Sequence, residues 1–222
     1  MVNYQKSSIA FSKNVPRHEQ NDLAGVLNVV RVDKHDKYLG LPIEISYSKT
    51  EAFNFLNERI KKRTRGWREK TLSAAGKEIL IKAVAQSIPT YVMSCFEVPI
   101  HLCNEMHSLM AKFWWGSTEE DKKIHWLAWE KLCLPKAEGG LGFRNMHQFN
   151  LALLAKQGWR LIQNPQSLVA RLFKAKYYPD SDFMHASLRG DVSFAWRSIM
   201  KGQDVLRRGL RFKVGSGSSI KI

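Results

Sequence analysis

The stretch from Arg59 to Phe96, RIKKRTRGWREKTLSAAGKEILIKAVAQSIPTYVMSCF, limits the possible folds of this chain more than any other. It opens with Arg59, Lys61, Lys62, Arg63, Arg65, Arg68 and Lys70 around Trp67. It continues with Ile79, Leu80, Ala83 and Val84 at helical spacing until Pro89. Such a pattern predicts helical structure that packs on one side and carries charge on the other. A solvated helix face is the plain reading. A polyanion surface is the reading carried forward, because cations far outnumber acids there and an aromatic sits among them.

The net charge of +15 is unevenly placed: +1 over residues 1–47, +5 over 48–98, 0 over 99–148 and +9 over 149–222. Two separated basic zones point to nucleic acid ahead of an anionic membrane. A hydrophobic share of 44% supports a core and excludes a disordered basic tail. No run of about 18 apolar residues is present, so no transmembrane span is expected. The first residues, MVNYQKSSIAFSKN, lack the apolar centre of a signal peptide. Cys95, Cys103 and Cys133 are odd in number and widely spaced, which argues for a reducing, intracellular setting over a disulfide framework.

Taken in order, residues 7–12 read as a short strand, Pro16 to Leu27 as a helix bearing Leu23, Val26 and Leu27, and Val29–Val32 and Lys37–Ile45 as strands. Ser48-Lys49-Thr50-Glu51 is a capping-box pattern. It opens a helix with Phe53, Leu56 and Ile60 on one face and Trp67 just past its end. Ser73 caps a helix that stops before Pro89, and Pro99 starts one carrying Leu102, Met106, Leu109, Met110 and Phe113. Residues 117–150 are neutral and turn-rich. Helical spacing returns after Asn150 (Leu151, Leu154, Ala155, Trp159, Ile162). It recurs from Asn164-Pro165 (Leu168, Leu172, Phe173) and from Ser193 (Trp196, Ile199, Met200), with Gly209 as the final stop. RFKVGSGSSIKI reads as a β-hairpin. The fold class is therefore mainly α, a helical bundle with a small α+β N-terminal piece and a C-terminal hairpin.

Catalytic chemistry has little support. Asp33, Asp36 and Glu119-Glu120-Asp121 read as solvated loop charges, and no Asp-Asp pair follows an aromatic at a strand turn, as a two-metal site requires. His101, Cys103, His125 and Cys133 lack zinc-site spacing, so buried structural cysteines are expected and no metal site. Gly139-Gly140-Leu141-Gly142 has no Lys-Ser/Thr and no preceding apolar strand, and reads as a turn. Most of the tryptophans sit on apolar helix faces and read as core; Trp67, among arginines, is the candidate for base stacking.

Several short motifs occur in a fixed order: Asn3-x-x-Lys6-Ser7, Lys37-Tyr38-Leu39-Gly40-Leu41-Pro42, Gly66-Trp67, Leu72-Ser73, Gly76-Lys77 and Ile88-Pro89-Thr90-Tyr91. Then come Phe113-Trp114-Trp115-Gly116, Trp126-x-x-Trp129-x-x-Leu132-Cys133-x-Pro135-Lys136, Gly139-Gly140-Leu141-Gly142-Phe143-Arg144, Phe149-Asn150-x-Ala152-Leu153-Leu154-Ala155-Lys156 and Trp159-Arg160. Together these cover nearly the whole chain, and the chain resembles plant LINE-type (non-LTR) retrotransposon reverse transcriptases.

That resemblance implies a fragment. In the family the catalytic aspartates precede the Asn-x-x-Lys-Ser motif, so the fingers and most of the palm are expected to be missing. Residues 1–47 would be the end of the palm, 48–116 a helical thumb, and 117–222 a connection region cut before a zinc-binding and RNase H-like segment. Lys6 would match the lysine that protonates the pyrophosphate leaving group, able to act only with a complete palm. Tyr38, Leu39 and Gly40 would match the primer grip. Lys61, Lys62, Arg63, Arg65, Trp67, Arg68, Lys70, Lys77 and Lys82 would track the backbone of an RNA–DNA or DNA duplex without reading bases.

The resemblance implies no cofactor in this chain and Mg2+ for the complete polymerase. It also implies a palm and fingers supplied in trans if there is to be activity, and no membrane partner. A nuclear location is expected, or a mitochondrial one. The formal activity is RNA-directed DNA polymerase, expected to be inactive in this chain alone. The rival expectations are a domesticated, sequence-independent nucleic-acid-binding adaptor and a non-functional pseudogene product.

Overall fold

The computed structural model describes residues 3–4, 7–35, 37–38, 41–42, 48–68, 71–118 and 121–211, with backbone alone at 37, 38, 41, 42 and 68. Helices dominate, and every strand among the described residues is two residues long, so the fold is mainly α. The chain divides into two compact units, residues 1–47 and 48–222. The expected hairpin at the C-terminus lies, beyond Arg211, outside the described residues.

In the first unit β1 (Ser8–Ile9) pairs in parallel with β2 (Val30–Arg31), and α1 (Arg17–Leu27) makes the crossover between them. The helix stops at Asn28, which takes the left-handed conformation (φ 51°) that asparagine tolerates. The Arg31 guanidinium donates to the Asn21 side-chain oxygen at 3.2 Å and ties β2 to the helix. Leu23, Val26 and Leu27 stay exposed and only Ala24 of α1 is buried. The strand expected over Lys37–Ile45 is instead a reversal. β3 (Lys37–Tyr38) pairs antiparallel with β4 (Leu41–Pro42), in the register Tyr38 opposite Leu41. An apolar run with a glycine inside it allows a turn as readily as a strand.

The larger unit is built on two long helices. α2 (Lys49–Arg68) begins where the capping pattern predicts, with the Glu51 amide donating to the Ser48 hydroxyl at 3.3 Å. It runs through Trp67 to Arg68, about two residues further than expected. Phe53, Leu56 and Ile60 are fully buried against α5 (Ile100–Trp115), whose Leu102, Met106, Met110 and Phe113 complete that core. α5 starts after Pro99 and ends at Gly116 in a left-handed cap.

Between these two helices the helix capped by Ser73 stops before Pro89, as expected. α3 (Ala74–Ala83), capped by Ser73, gives way to a short 3-10 turn, and α4 (Thr90–Cys95) restarts beyond the proline. Pro89 lacks an N–H, which a helix start does not need, so it separates two helices where one was expected to stop. Ile79 is 64% exposed and Ile81 is fully buried, the reverse of the expected stripe. In Ile79-Leu80-Ile81 apolar side chains surround the helix, and tertiary contact alone selects which face turns inward.

The remaining elements are α6 (Trp129–Leu132), α7 (Met146–Gln163), α8 (Leu168–Tyr177), α9 (Phe194–Lys201) and α10 (Gln203–Gly209). α6 falls inside the stretch expected to be turns. α7 begins a turn before Asn150, because the Asn145 side chain accepts from the Gln148 amide at 3.1 Å. α8 begins at Leu168, since Ser167 provides the cap and residues 164–167 form a turn; its Leu168 and Leu172 are exposed. The expected last helix breaks at Gly202 into α9 and α10. The helices before and after Gly116 pack together, with α7 touching α4, α5, α8, α9 and α10. A second core centres on the fully buried Trp196, stacked on Tyr177 at 4.9 Å and Tyr178 at 5.3 Å between ring centroids.

Irregular segments are held by buried polar side chains. Asn150 binds the link between α4 and α5, the Ser198 hydroxyl accepts from the Glu97 amide at 2.9 Å, and the Gln203 amide donates to the Phe183 and Ala186 carbonyls at 2.6 and 3.1 Å. The glycine-rich turn forms as expected. A Cβ on Gly140 would stand 2.0 Å from the Leu134 carbonyl oxygen, so only glycine fits there.

Gly202 lies against the α7 backbone, where a Cβ would come within 2.3 Å of the Ala155 nitrogen. Gly202→Ala is expected to cost about 1–3 kcal/mol or more through overpacking. Gly66→Ala, with open space around it in the last turn of α2, should instead stabilise, by at most about 0.5–1 kcal/mol. Thermal unfolding followed by circular dichroism compares the two, and equal midpoints would refute the close helix crossing.

Candidate nucleic-acid interface

The inner face of α2 is set by Phe53, Leu56, Ile60 and the buried Thr64, whose hydroxyl donates to the Ile60 carbonyl at 3.0 Å. One flank beside that face carries Lys61 and Arg65, four residues apart and both exposed. The last turns of α5 bring up Leu109 and Lys112. Beyond Gly116 the chain reverses, with the Ser117 amide donating to the Lys112 carbonyl at 2.8 Å. The buried Ser117 hydroxyl accepts from the Lys123 amide at 3.1 Å and lies 3.1 Å from His125 Nε2. The His125 ring stacks near Trp115, at 6.2 Å. These contacts fold residues 117–118 and 121–125 back toward α2.

The result is a groove of about 820 Å³ between α2, the end of α5 and this loop. Lys61, Arg65, Lys112, Lys122, Lys123 and His125 line it, with Thr64, Leu109, Ser117 and Thr118. No carboxylate lines it among the described residues. Asp121 reaches Lys123 from the loop at 2.6 Å, so that lysine is already paired. A concave surface lined by cations of one sign concentrates anions. Like charges this exposed are tolerated because water screens them.

The other residues expected at a binding surface scatter. Lys62 and Arg63 are exposed on α2 but do not line the groove. Trp67 is half-buried with its ring 5.4 Å from that of Phe113, on the edge of the core. Lys77 donates to the Trp114 carbonyl at 3.3 Å, near the negative end of α5. Lys82 is paired with Glu78 at 2.7 Å, and Lys136 joins the same carboxylate at 2.9 Å. Hydrogen bonds from Lys82 and Lys136 hold the Glu78 carboxyl below the usual carboxylate range. Lys6, Leu39, Gly40 and Lys70 lie outside the described residues. Tyr38 is described as a backbone position in the small hairpin, and Arg68 as the last residue of α2.

Lys112, Lys122 and Lys123 were not singled out from the sequence, and His125 was weighed only as a zinc ligand. They sit in the stretch of zero net charge, and their signal is weak: a lysine one turn before a helix-ending glycine, and a lysine pair just after three acids. A buried histidine also escaped notice. His107 Nε2 accepts from the Met146 amide at 2.8 Å, and its ring stacks on Trp129 at 5.7 Å. Burial lowers its pKa, which keeps the ring neutral and able to accept at the start of α7.

Fold and groove together define a mainly helical protein with a cationic groove on its larger unit. No protein-family model matches the chain. Over 137 residues it is 46% identical to a protein of Arabidopsis thaliana named "Uncharacterized mitochondrial protein"; the match covers 61% of this chain and 89% of that protein. Over 174 residues it is 41% identical to a "Putative ribonuclease H protein" of the same plant. That match covers 77% of this chain, which spans only 28% of the length of that relative. The chain belongs to the family of the Arabidopsis mitochondrial protein.

Proposed function

We propose that this chain is the template–primer-binding part of a non-LTR retrotransposon reverse transcriptase, without polymerase activity on its own. The cationic groove carries this reading. It gathers lysines and an arginine from α2, α5 and the 117–125 loop onto one concave face, where they would meet phosphates and position a duplex. The ordered motifs from Asn3 to Arg160 support it. So does the 41% identity to a much longer relative named for ribonuclease H, an activity that suits an element copying through an RNA–DNA hybrid. The exposed Leu23, Val26 and Leu27 of α1 fit a palm whose covering elements lie elsewhere. Among the described residues no three His, Cys, Asp or Glu side chains come together to hold a metal ion. No catalytic step is assigned to this chain. The resemblance favours a nuclear location, with the mitochondrion as the alternative that the relative's name suggests.

The test is a fluorescence titration of the whole chain with a primer–template hybrid at two salt concentrations. Binding should weaken steeply with salt, with a log–log slope of about −0.9 per phosphate contact on B-form DNA and a somewhat different one on a hybrid. A hybrid should bind more tightly than plain DNA duplex; equal affinity would favour an adaptor over a polymerase part. Absence of binding by a folded sample would overturn the reading.

A further inference from the structure

We infer that the groove between α2, the end of α5 and the loop 117–125 holds a single-stranded stretch of nucleic acid, with an unpaired base stacked on Trp126. This rests on the polyanion reading of the groove and names the form of the strand that enters it. Size points to a single strand. The groove's volume of about 820 Å³ is small beside a duplex, whose major groove alone is about 12 Å wide. A duplex can lie across the mouth, whereas a single strand can enter.

The placement of aromatics points the same way. Lys122, Lys123 and His125 line the groove, and Trp126 follows directly, its Cα about 3.8 Å from that of His125. Trp126 is 75% exposed, and Ile124 and Leu127 beside it are exposed too. An indole offers a large apolar face that is normally buried. Left in water at the edge of the groove, three and four residues after Lys123 and Lys122 in the chain, it offers the combination that single-strand sites use, cations along the phosphates and an aromatic under a base. Trp67, the aromatic that the basic cluster in the sequence favoured for this role, already rests on Phe113. His125 is held by Ser117 and Trp115, which fixes the chain just before Trp126.

The experiment uses the whole chain with two labelled RNA–DNA hybrids, one blunt and one carrying an unpaired extension. The extension should tighten binding in the wild-type protein. Trp126→Ala should weaken the extended hybrid about 5- to 150-fold, the range of a lost base–aromatic stack, and leave the blunt hybrid unchanged. Trp126→Phe should keep most of the gain. Being exposed, the residue can be replaced without unfolding the protein, and circular dichroism checks this. An extension that gives no gain in the wild type, or the same gain in Trp126→Ala, would overturn the inference while the polyanion reading stands. Failure of both hybrids and of the free single strand would overturn the polyanion reading itself. Binding of the free single strand without the blunt hybrid would sustain this inference and overturn only the duplex part of the functional reading.

Discussion

Replacing Lys61, Arg65, Lys112 and Lys122 together by alanine is expected to flatten the salt dependence of hybrid binding and to weaken it for every sequence alike. Each phosphate contact contributes about 0.9 to the log–log salt slope on B-form DNA, so four lost contacts remove about 3.6. Between 50 and 200 mM salt the wild-type affinity should fall on the order of 100-fold more than that of the variant. Lys123 is left in place so that its ion pair with Asp121 is kept. The control removes the same charge from the second basic zone, at the exposed Arg171, Lys176, Lys201 and Arg208. That set should change the slope far less, since none of these residues lines the groove. Equal losses from the two sets would mean that diffuse positive charge drives binding and that the groove has no special part. Exposed replacements of this kind usually alter stability by less than about 0.5 kcal/mol each, so a folded variant is expected in both cases.

Asn150→Ala is expected to be the most damaging single change to the fold. The side chain is 1% exposed and lies within α7. Its oxygen accepts from the Val98 amide at 2.8 Å, and its nitrogen donates to the Met93 and Phe96 carbonyls at 2.7 and 2.9 Å. Those three backbone groups belong to the end of α4 and the link leading to α5, and two of the three atoms contacted there lie in irregular chain. Alanine would leave them without this partner in a buried place, at about 1–3 kcal/mol for each unsatisfied group and less than additively. A total of about 3–5 kcal/mol is a large part of the 5–15 kcal/mol typical of a folded domain. The thermal midpoint should drop by roughly 6–20 °C. Asn150→Asp should not rescue it, because a carboxylate keeps the acceptor but loses both donated bonds and buries a charge. A midpoint within about 2 °C of wild type would show that the link does not depend on Asn150.

Local chemistry made much of this fold legible in the sequence. Ser48, Ser73 and Ser193 each accept an amide at a helix start, and Gly116 ends α5 in a left-handed turn. Such caps act over three or four residues, so neighbouring letters suffice to find them. The mainly helical class follows from them and from the spacing of Phe53, Leu56 and Ile60. Competition between signals defeated the reading elsewhere. Asn145 begins α7 ahead of the expected Asn150, and Ser167 outranks Pro165 at the start of α8, in each case because a side chain accepts an amide there.

What the tertiary structure alone decided is which distant residues meet. Nothing near Ile79 or Ile81 in the chain tells which of them is buried, and the choice comes from packing between helices. Lys61 and Arg65 stand more than forty residues before Lys112, Lys122 and Lys123, in a zone of different net charge. They share a groove only because α2 and α5 bury their apolar faces together and Ser117 folds the following loop back. The same packing commits Lys77, Lys82 and Trp67 to partners within the protein and leaves Trp126 in the open. A linear sequence displays charge and aromatic content; burial and distance, which determine what those side chains are free to bind, are properties of the folded chain.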